Sequence, residues 1–301
     1  MIDPAFAKRI GRVGVWWSAL GRYGADVERA HAAAIEQLGY PALWFGEGAN
    51  KEAFAHAGIL LAATQRTVIL TGIASIYARD AVAMRSGSLA LSEAYPGRFG
   101  LGIGVSHAPM VEARGHGYGK PVASMRAYLE GMDATVYEPP APSEAVPLLL
   151  AALRPAMLEL ARDRSDGAHP YLVTPRHSAT ARELLGPDRL LAPEQGFVLE
   201  RDPERAREIA RVHLGLYLKL PNYVESWREE GFGDADLADG GSDRLVDALI
   251  VWGDAETIAE RVSQHLDAGA DHVCLQPVTR DLDRALHELE AIAPSVLALA
   301  S

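Results

Sequence analysis

The sequence predicts an α/β fold, a (β/α)8 TIM barrel with an insertion before the last helix-strand unit. Three observations predict it. Eight short apolar stretches alternate with segments of helical periodicity along the chain, and such alternation builds a parallel sheet with helices outside. Eight units need roughly 250 residues, which a chain of 301 accommodates with insertions. The residues after the first stretch, Ser18 to Gly24, lack the G-x-G-x-x-G turn of a doubly wound sheet. The chain reads as one domain, residues 1–301, with residues 221–252 inserted.

Arg12–Trp17 is the first strand, carried by Val13, Val15 and the Trp16-Trp17 pair. Asp26 is a candidate cap for a helix over Val27, Ala30, Ala34 and Leu38, and Gly39 stops it. Ala42–Phe45 is the second strand, ending in Gly46-Glu47-Gly48, and a helix over about Glu52 to Thr64 follows. Thr67–Ile73 is a third strand, running on into Ala74-Ser75. Asp80 caps a helix over Ala81 to Glu93.

The fourth strand lies in Tyr95–His107, read Y-P-G-R-F-G-L-G-I-G-V-S-H. Phe99, Leu101, Ile103 and Val105 alternate with Gly100, Gly102 and Gly104, the two-residue period of a strand. Glycine inside a strand marks close approach of a ligand or of another backbone. The strand reads either as a floor for something flat or as a tightly packed barrel strand. Its glycines fall inside a strand, the wrong context for a dinucleotide fingerprint.

A Gly- and His-rich loop, Ser106 to Lys120, precedes a helix from Pro121 to about Thr135. Leu148–Ala151 is the fifth strand, and Arg154-Pro155 opens the next helix with proline in its first turn. Ala168–Val173 is the sixth strand, Ser178–Leu185 a helix, and Gly196–Leu199 the core of the seventh strand. Asp202-Pro203 starts a helix in which Ile209, Val212 and Leu216 recur at helical spacing. Pro221–Trp252 breaks the rhythm and reads as an insertion with one or two helices. Asp254 caps another helix, His272–Pro277 is the last strand, and a closing helix runs from about Asp281.

A net charge of −11 argues against nucleic acid as a partner. No apolar run reaches membrane-spanning length, and Met1–Arg12 lacks a signal-peptide core. The single Cys274 excludes an internal disulfide and a cysteine-cluster metal site. The expected compartment is the cytoplasm.

In such barrels the site lies where strands run into the following helices. That rule gathers Trp17-Ser18, Gly46-Glu47, Ala74-Ser75, Ser106-His107, Ala152-Leu153-Arg154, Thr174, Arg176, His177, Glu194-Gln195 and Gln276. No ordered Ser/His/acid set and no H-E-x-x-H metal spacing is among them. Glu47 and His107 can serve as acid or base, or Glu47 can sit in a structural ion pair. Arg154 at a helix start, with Thr174 one strand later, can hold a phosphate or be solvated. These groups supply no hydride or oxygen chemistry without a cofactor.

Several segments carry a resemblance: L-W-F-G-E at Leu43–Glu47, L-T-G-I-A-S-I-Y-A-R-D-A-V-A at Leu70–Ala83, A-Y-P-G-R-F-G-L-G-I-G-V-S-H at Ala94–His107, and L-L-A-P-E-Q-G at Leu190–Gly196. Gly115–Tyr128 and Gly269–Gln276 add to it. The sequence resembles the luciferase-like monooxygenase superfamily, and within it the coenzyme F420-dependent oxidoreductases. The resemblance implies hydride transfer between a deazaflavin and a small-molecule substrate, with Glu47 or His107 managing the proton. It implies a non-proline cis peptide in a bulge within Ile73-Ala74-Ser75, propping the ring. It sets Gly104, Val105 and Ser106 beside the ring, and Ala152, Leu153, Arg154 and Thr174 toward the phosphate-bearing tail. Trp16, Trp17, Trp44 and Tyr77 would supply apolar walls. Sugar-phosphate-oxidising relatives carry a glutamate where this chain has His107 and an Asp-His pair where it has Glu47-Gly48, which argues against that substrate. The alternatives are FMN as cofactor of a two-component monooxygenase, or a non-catalytic flavin-binding barrel. The family habit of dimerisation implies a homodimer.

Overall fold

The computed structural model describes residues 3–48 and 51–300. Helix α1 (Pro4–Ile10), which periodicity did not reveal, is capped by Asp3 and plugs one end of the sheet with Phe6 and Ile10. The barrel strands that follow are β1 (Val13–Trp16), β2 (Ala42–Phe45), β3 (Val68–Thr71), β4 (Ala74–Ser75), β5 (Phe99–Gly104), β6 (Leu148–Leu150) and β7 (Gly167–Ala168). Then come β8 (Leu190–Leu191), β9 (Glu194–Val198), β10 (Ile250–Trp252) and β11 (Val273–Pro277). Between them run α2 (Ala25–Gln37), α3 (Ala53–Ala63), α4 (Ala81–Ala94), α5 (Ala108–Glu112), α6 (Pro121–Asp133), α7 (Pro155–Arg164) and α8 (Pro175–Leu185). The rest are α9 (Pro203–Tyr217), α10 (Pro221–Glu229), α11 (Asp234–Leu237), α12 (Asp243–Leu249), α13 (Ala255–Asp267) and α14 (Leu282–Leu297).

Every strand pair is parallel. The pairing runs β11-β1-β2-β3-β5-β6-β7-β8. β8 and β9 are two halves of one strand, broken at Ala192-Pro193. Ala192 N–H donates to Ala168 O at 3.0 Å on one side, and Cys274 N–H donates to Pro193 O at 2.9 Å on the other. β9 in turn pairs with β11, so eight strands close the barrel.

Several boundaries differ from expectation, each for a local reason. The third strand stops at Thr71, bulges over Gly72-Ile73, and resumes as β4 against Ile103 and Gly104. The non-proline cis peptide is Gly72–Ile73, one residue ahead of the expected segment. The sixth strand is two residues long because Pro170 offers no N–H and Leu172 adopts φ 52. The seventh strand begins at Leu190, before the proline that hid it. The Gly- and His-rich loop contains α5. Gly24, not Asp26, caps α2, and Asp26 sits in its first turn. Pro221–Trp252 holds three helices and a strand, β10, which pairs with the outer side of β9.

The glycines of β5 answer the question their pattern raised. A Cβ on Gly102 would lie 2.1 Å from the Thr71 carbonyl oxygen, and one on Gly100 would lie 2.7 Å from a Leu70 methyl. Gly100 and Gly102 are small so that the third strand can press against β5, while Gly104, at the strand's end, lines the cleft. Below the barrel mouth, Trp44 donates through Nε1 to His272 Nε2 at 3.1 Å and stacks on His169 at 4.7 Å. This buried layer includes Cys274 and closes the barrel interior. No helix among the described residues is long and apolar enough to cross a membrane.

Candidate functional site

A cleft opens at the C-terminal ends of the strands and contains about 990 Å³ of non-protein space, part of it open to solvent. Strand ends supply its walls in turn: Trp16 after β1, Gly46-Glu47-Gly48 after β2, Gly72-Ile73 in the bulge, and Gly104–His107 after β5. Ala151-Ala152-Leu153 after β6 and His169 and Tyr171 after β7 complete them. One side is therefore bare backbone and small groups. The opposite side is aromatic: Tyr217 at the end of α9 and Tyr223 on α10 stand with Tyr171 and Trp16, their ring centroids 5.0 to 6.3 Å apart.

Of the residues expected here, Glu47, Ile73, Gly104, Val105, Ser106, His107, Ala152 and Leu153 line the cleft. Ala74 and Ser75 lie buried in β4 behind it. Arg154 lines an adjoining groove and is paired with Glu229 at 2.8 Å. Thr174 does not line the cleft: its hydroxyl caps α8 through His177 N–H and donates to the Glu230 carboxylate. Of the expected walls, Trp16 serves; Trp17 turns into the core, Trp44 lies beneath the floor, and Tyr77 packs against Tyr118 away from the cleft. His177, gathered by the strand-end rule, is buried in the first turn of α8 and bonds the Leu153 carbonyl at 2.6 Å.

Glu47 lines the cleft with its stem, but its carboxylate is spoken for. Both oxygens pair with Arg79, and they also accept the N–H groups of Ser75 at 2.8 Å and Ala53 at 3.2 Å. The pair is nearly sealed, with side-chain exposures of 3% and 8%. It clamps the segment after β2 to the bulge, since Glu47 N–H also donates to Ile73 O at 2.9 Å. Removing one partner of a buried pair strands the other charge. Arg79→Ala is therefore expected to lose about 3 kcal/mol in denaturant melts. Arg79→Ala with Glu47→Gln should lose less, because no buried charge is left alone. Equal losses in the two variants would contradict this reading.

His107 is different. Neither of its ring nitrogens has a hydrogen-bond partner among the described residues, and its ring stands 5.5 Å from that of Tyr223. Burial holds its pKa below the usual imidazole value, so it is neutral at pH 7. Ser106 before it takes φ 55, which turns the chain at the strand end.

Three polar groups stand near the floor: Glu194, which the strand-end rule gathered, and His169 and Tyr171, which escaped sequence reasoning. His169 donates through Nδ1 to Ala192 O at 2.7 Å, leaving Nε2 buried without a partner. Its tautomer makes Nε2 an acceptor. A Cβ on Gly72 would come within 2.9 Å of that nitrogen and of Trp16 Nε1, so only glycine fits beside these two rings. Tyr171 donates to Gln276 at 2.7 Å and accepts from Tyr217 at 3.0 Å. Glu194 is fully buried, accepts only Leu172 N–H at 3.0 Å, and is pushed up to about 8 by desolvation. It is thus predominantly protonated at pH 7. The only sequence signal for these groups was position: each stands on or just after a barrel strand.

The cleft continues past Leu153 and Asn222 into the groove of Arg154, which runs along the start of α7. No cluster of potential metal ligands occurs among the described residues. The family model for luciferase-like monooxygenases matches residues 17–272. The 5,10-methylenetetrahydromethanopterin reductase of Methanolobus tindarius is 24% identical over 303 residues, covering 85% of this chain and 92% of that one. Among solved structures, an F420-dependent secondary alcohol dehydrogenase in complex with an F420-acetone adduct superposes with a TM-score of 0.75. It is 17% identical and covers 95% of this chain and 99% of that one. The EDTA monooxygenase of Chelativorans sp. BNC1 superposes with a TM-score of 0.73 at 12% identity, covering 97% and 94%.

Proposed function

Because the chain belongs to the luciferase-like monooxygenase family, we propose that its cleft seats coenzyme F420 and that hydride passes between this deazaflavin and a small organic substrate. One observation carries the reading. The cleft pairs a bare backbone side with an aromatic side, and its one carboxylate is already bound to Arg79. Such a site has shape for a flat ring but little acid-base equipment of its own, so the redox chemistry must come from a bound group. The F420-dependent secondary alcohol dehydrogenase that superposes on the chain supports that choice of ring.

The residues present fit the group. Gly72 and His169 line the cleft, and the unpartnered acceptor His169 Nε2 suits the polar edge of a heterocycle carrying an N–H. Ile73, Gly104 and Val105 would bear on one face of the ring. The Arg154 groove would take the tail, with the first-turn N–H groups of α7 and the guanidinium meeting its phosphate. Arg154 would exchange Glu229 for that phosphate. When bound, the deazaflavin supplies two-electron hydride chemistry. Its low reactivity toward oxygen makes a reductase or dehydrogenase the preferred reading over a monooxygenase.

His107 is the proton-handling group in this scheme. Neutral at pH 7 and free of protein partners, it can take the proton of an alcohol substrate or return one to a carbonyl. Glu47 acts as a positioning residue, holding the bulge against the cleft. Tyr223, Tyr217 and Trp16 exclude water around the reacting carbon.

The test uses the whole protein with oxidised F420 and a panel of secondary alcohols, following loss of the oxidised cofactor's visible absorbance. His107→Gln should lower kcat by about 100-fold while leaving the cofactor dissociation constant nearly unchanged. Unchanged turnover in that variant would remove His107 from the scheme. FMN and a two-component monooxygenase form the second reading, favoured by the likeness to the EDTA monooxygenase. Saturable FMN binding without F420 binding would establish it in place of the first.

A further inference from the structure

The central cleft has two side grooves, and they differ in charge. The Arg154 groove is lined by two carboxylates, Glu225 and Glu229, and its arginine is neutralised by the second of them. The other groove lies between α9 and the segment after β11, beyond Trp16 and Tyr171. Two arginines line it, Arg22 and Arg280, and no carboxylate does. Both are exposed, and neither forms an ion pair among the described residues. Their segments are tied together, because Tyr23 donates from its hydroxyl to Arg280 O at 3.2 Å.

The groove's other feature is apolar. α9 buries Ala206, Ala210 and Leu214, so Ile209, Val212 and Leu216 fall on the groove side. Val212 is 79% exposed and Leu216 50%. Large aliphatic groups open to water beside a cavity mark a binding surface more often than a plain face. In a chain of net charge −11, two unpaired arginines at one cavity also stand out.

We propose that this groove admits the substrate, and that the substrate is an amphipathic anion. Its apolar body lies along Val212 and Leu216, its anionic group meets Arg22 and Arg280, and its reacting end reaches past Tyr171 and Tyr217 into the cleft. The proposal rests on the function proposed above and adds to it the substrate's chemical class. The carboxylate is the anion that the two forked donors match most simply. The Arg154 groove is assigned to the cofactor's tail, which leaves this groove for the substrate.

Calorimetric titration of the full chain with decanoate, decanol and decylamine tests this, with F420 titrated in parallel. Decanoate should bind about tenfold more tightly than decanol, and decylamine more weakly than either. Arg22→Gln with Arg280→Gln should erase the preference for decanoate, leave decanol unchanged, and leave F420 binding intact. Both side chains are exposed, so the variant should fold; a thermal melt checks this. Decanoate binding no tighter than decanol would overturn the proposal. So would loss of F420 binding in the double variant with decanoate affinity unchanged, which would give the arginines to the cofactor's tail. If the parent chain fails to bind F420 yet shows the decanoate preference and its loss in the variant, the groove stands and the cofactor reading falls. Val212→Asp separates the last possibility. If it breaks an oligomer and leaves decanoate affinity unchanged, the face belongs to a second copy and the proposal is overturned.

Discussion

Between pH 7 and pH 4 the protein is expected to lose at least about 6 kcal/mol of stability through three buried histidines, net of one buried glutamate, and His56 and His213, also held down to about 4 by burial, act in the same direction as the three. His169, His265 and His272 are held neutral by burial, with pKa values lowered to about 4, about 3 and about 4. Each is also bonded in its neutral form. His272 accepts from Trp44 and faces Gly11 O, His265 lies between Ser178 and Gln195, and His169 donates to Ala192 O. In the unfolded chain they titrate near pH 6.5. Since the folded values are depressed, the stability is complete above pH 6.5 and is lost as pH falls toward the folded values. Each histidine then withdraws about 3 kcal/mol by pH 4, about 9 in all. Glu194 works the other way. Its folded value, pushed up to about 8, means that the native state takes up its proton first, which returns about 3 kcal/mol over the same range. A net loss of at least about 6 is a large share of the 5–15 kcal/mol typical of a folded protein. Urea melts at pH 7, 5.5 and 4 should show falling midpoints with an unchanged slope. A flat profile would mean that these histidines are solvated or paired in a way the structure does not have.

The second large effect concerns Gly72. Gly72→Ala is expected to weaken F420 binding by at least about 30-fold, since the change crowds His169 and Trp16, two rings that line the cleft. The added methyl would sit 2.9 Å from His169 Nε2 and Trp16 Nε1. Both neighbours are packed rings that have little freedom to retreat: His169 stacks on Trp44, and Trp16 is held by its bond to the Gly72 carbonyl at 2.9 Å. The same crowding should lower stability by about 1–3 kcal/mol, which leaves the protein folded at room temperature. Equilibrium dialysis with F420, alongside a circular dichroism melt, separates the two effects. Parent-like affinity in a folded variant would show that the ring does not lie there.

The barrel was legible because its signals are local. Valine, leucine and isoleucine runs marked the strands, and Asp80, Asp202 and Asp254 announced helices that they do cap. Where reading failed, the cause was non-local. Strand seven was cut short because Pro193 looks like an ending, whereas its carbonyl bridges to Cys274 and keeps the barrel continuous. The bulge of strand three was expected one residue late, because only the contact of Gly102 with Thr71 O shows where the chain must bend. The glycines of β5 gave two readings with one pattern, and only the fold shows that Gly100 and Gly102 follow one and Gly104 the other.

The site was half legible for the same reason. Strand-end residues such as Ser106, His107 and Leu153 follow from the barrel rule alone, whereas Gly104 was reached only through the family resemblance. The aromatic side does not. Tyr171, Tyr217 and Tyr223 come from three separate segments, and their meeting depends on α10 folding over the mouth. That helix is fixed there by Trp227 donating to Leu172 O at 3.1 Å and by Glu229 on Arg154. Glu47 and Arg79 lie 32 positions apart, and nothing in the spacing shows that they pair. A lone glutamate after a strand read either as an acid or as half of an ion pair, and only the fold brings Arg79 to it.

The central claim is that the barrel mouth seats a deazaflavin between the Gly72 bulge and the Tyr171-Tyr217-Tyr223 side. Titrating the purified chain with F420 and following the cofactor's fluorescence tests it most directly. The account predicts saturable binding with one site per chain, weakened by Gly72→Ala and unaffected by Arg22→Gln. No F420 binding at about 100 μM, a concentration at which even a weak site with a binding free energy near −5.5 kcal/mol is half filled, would contradict it.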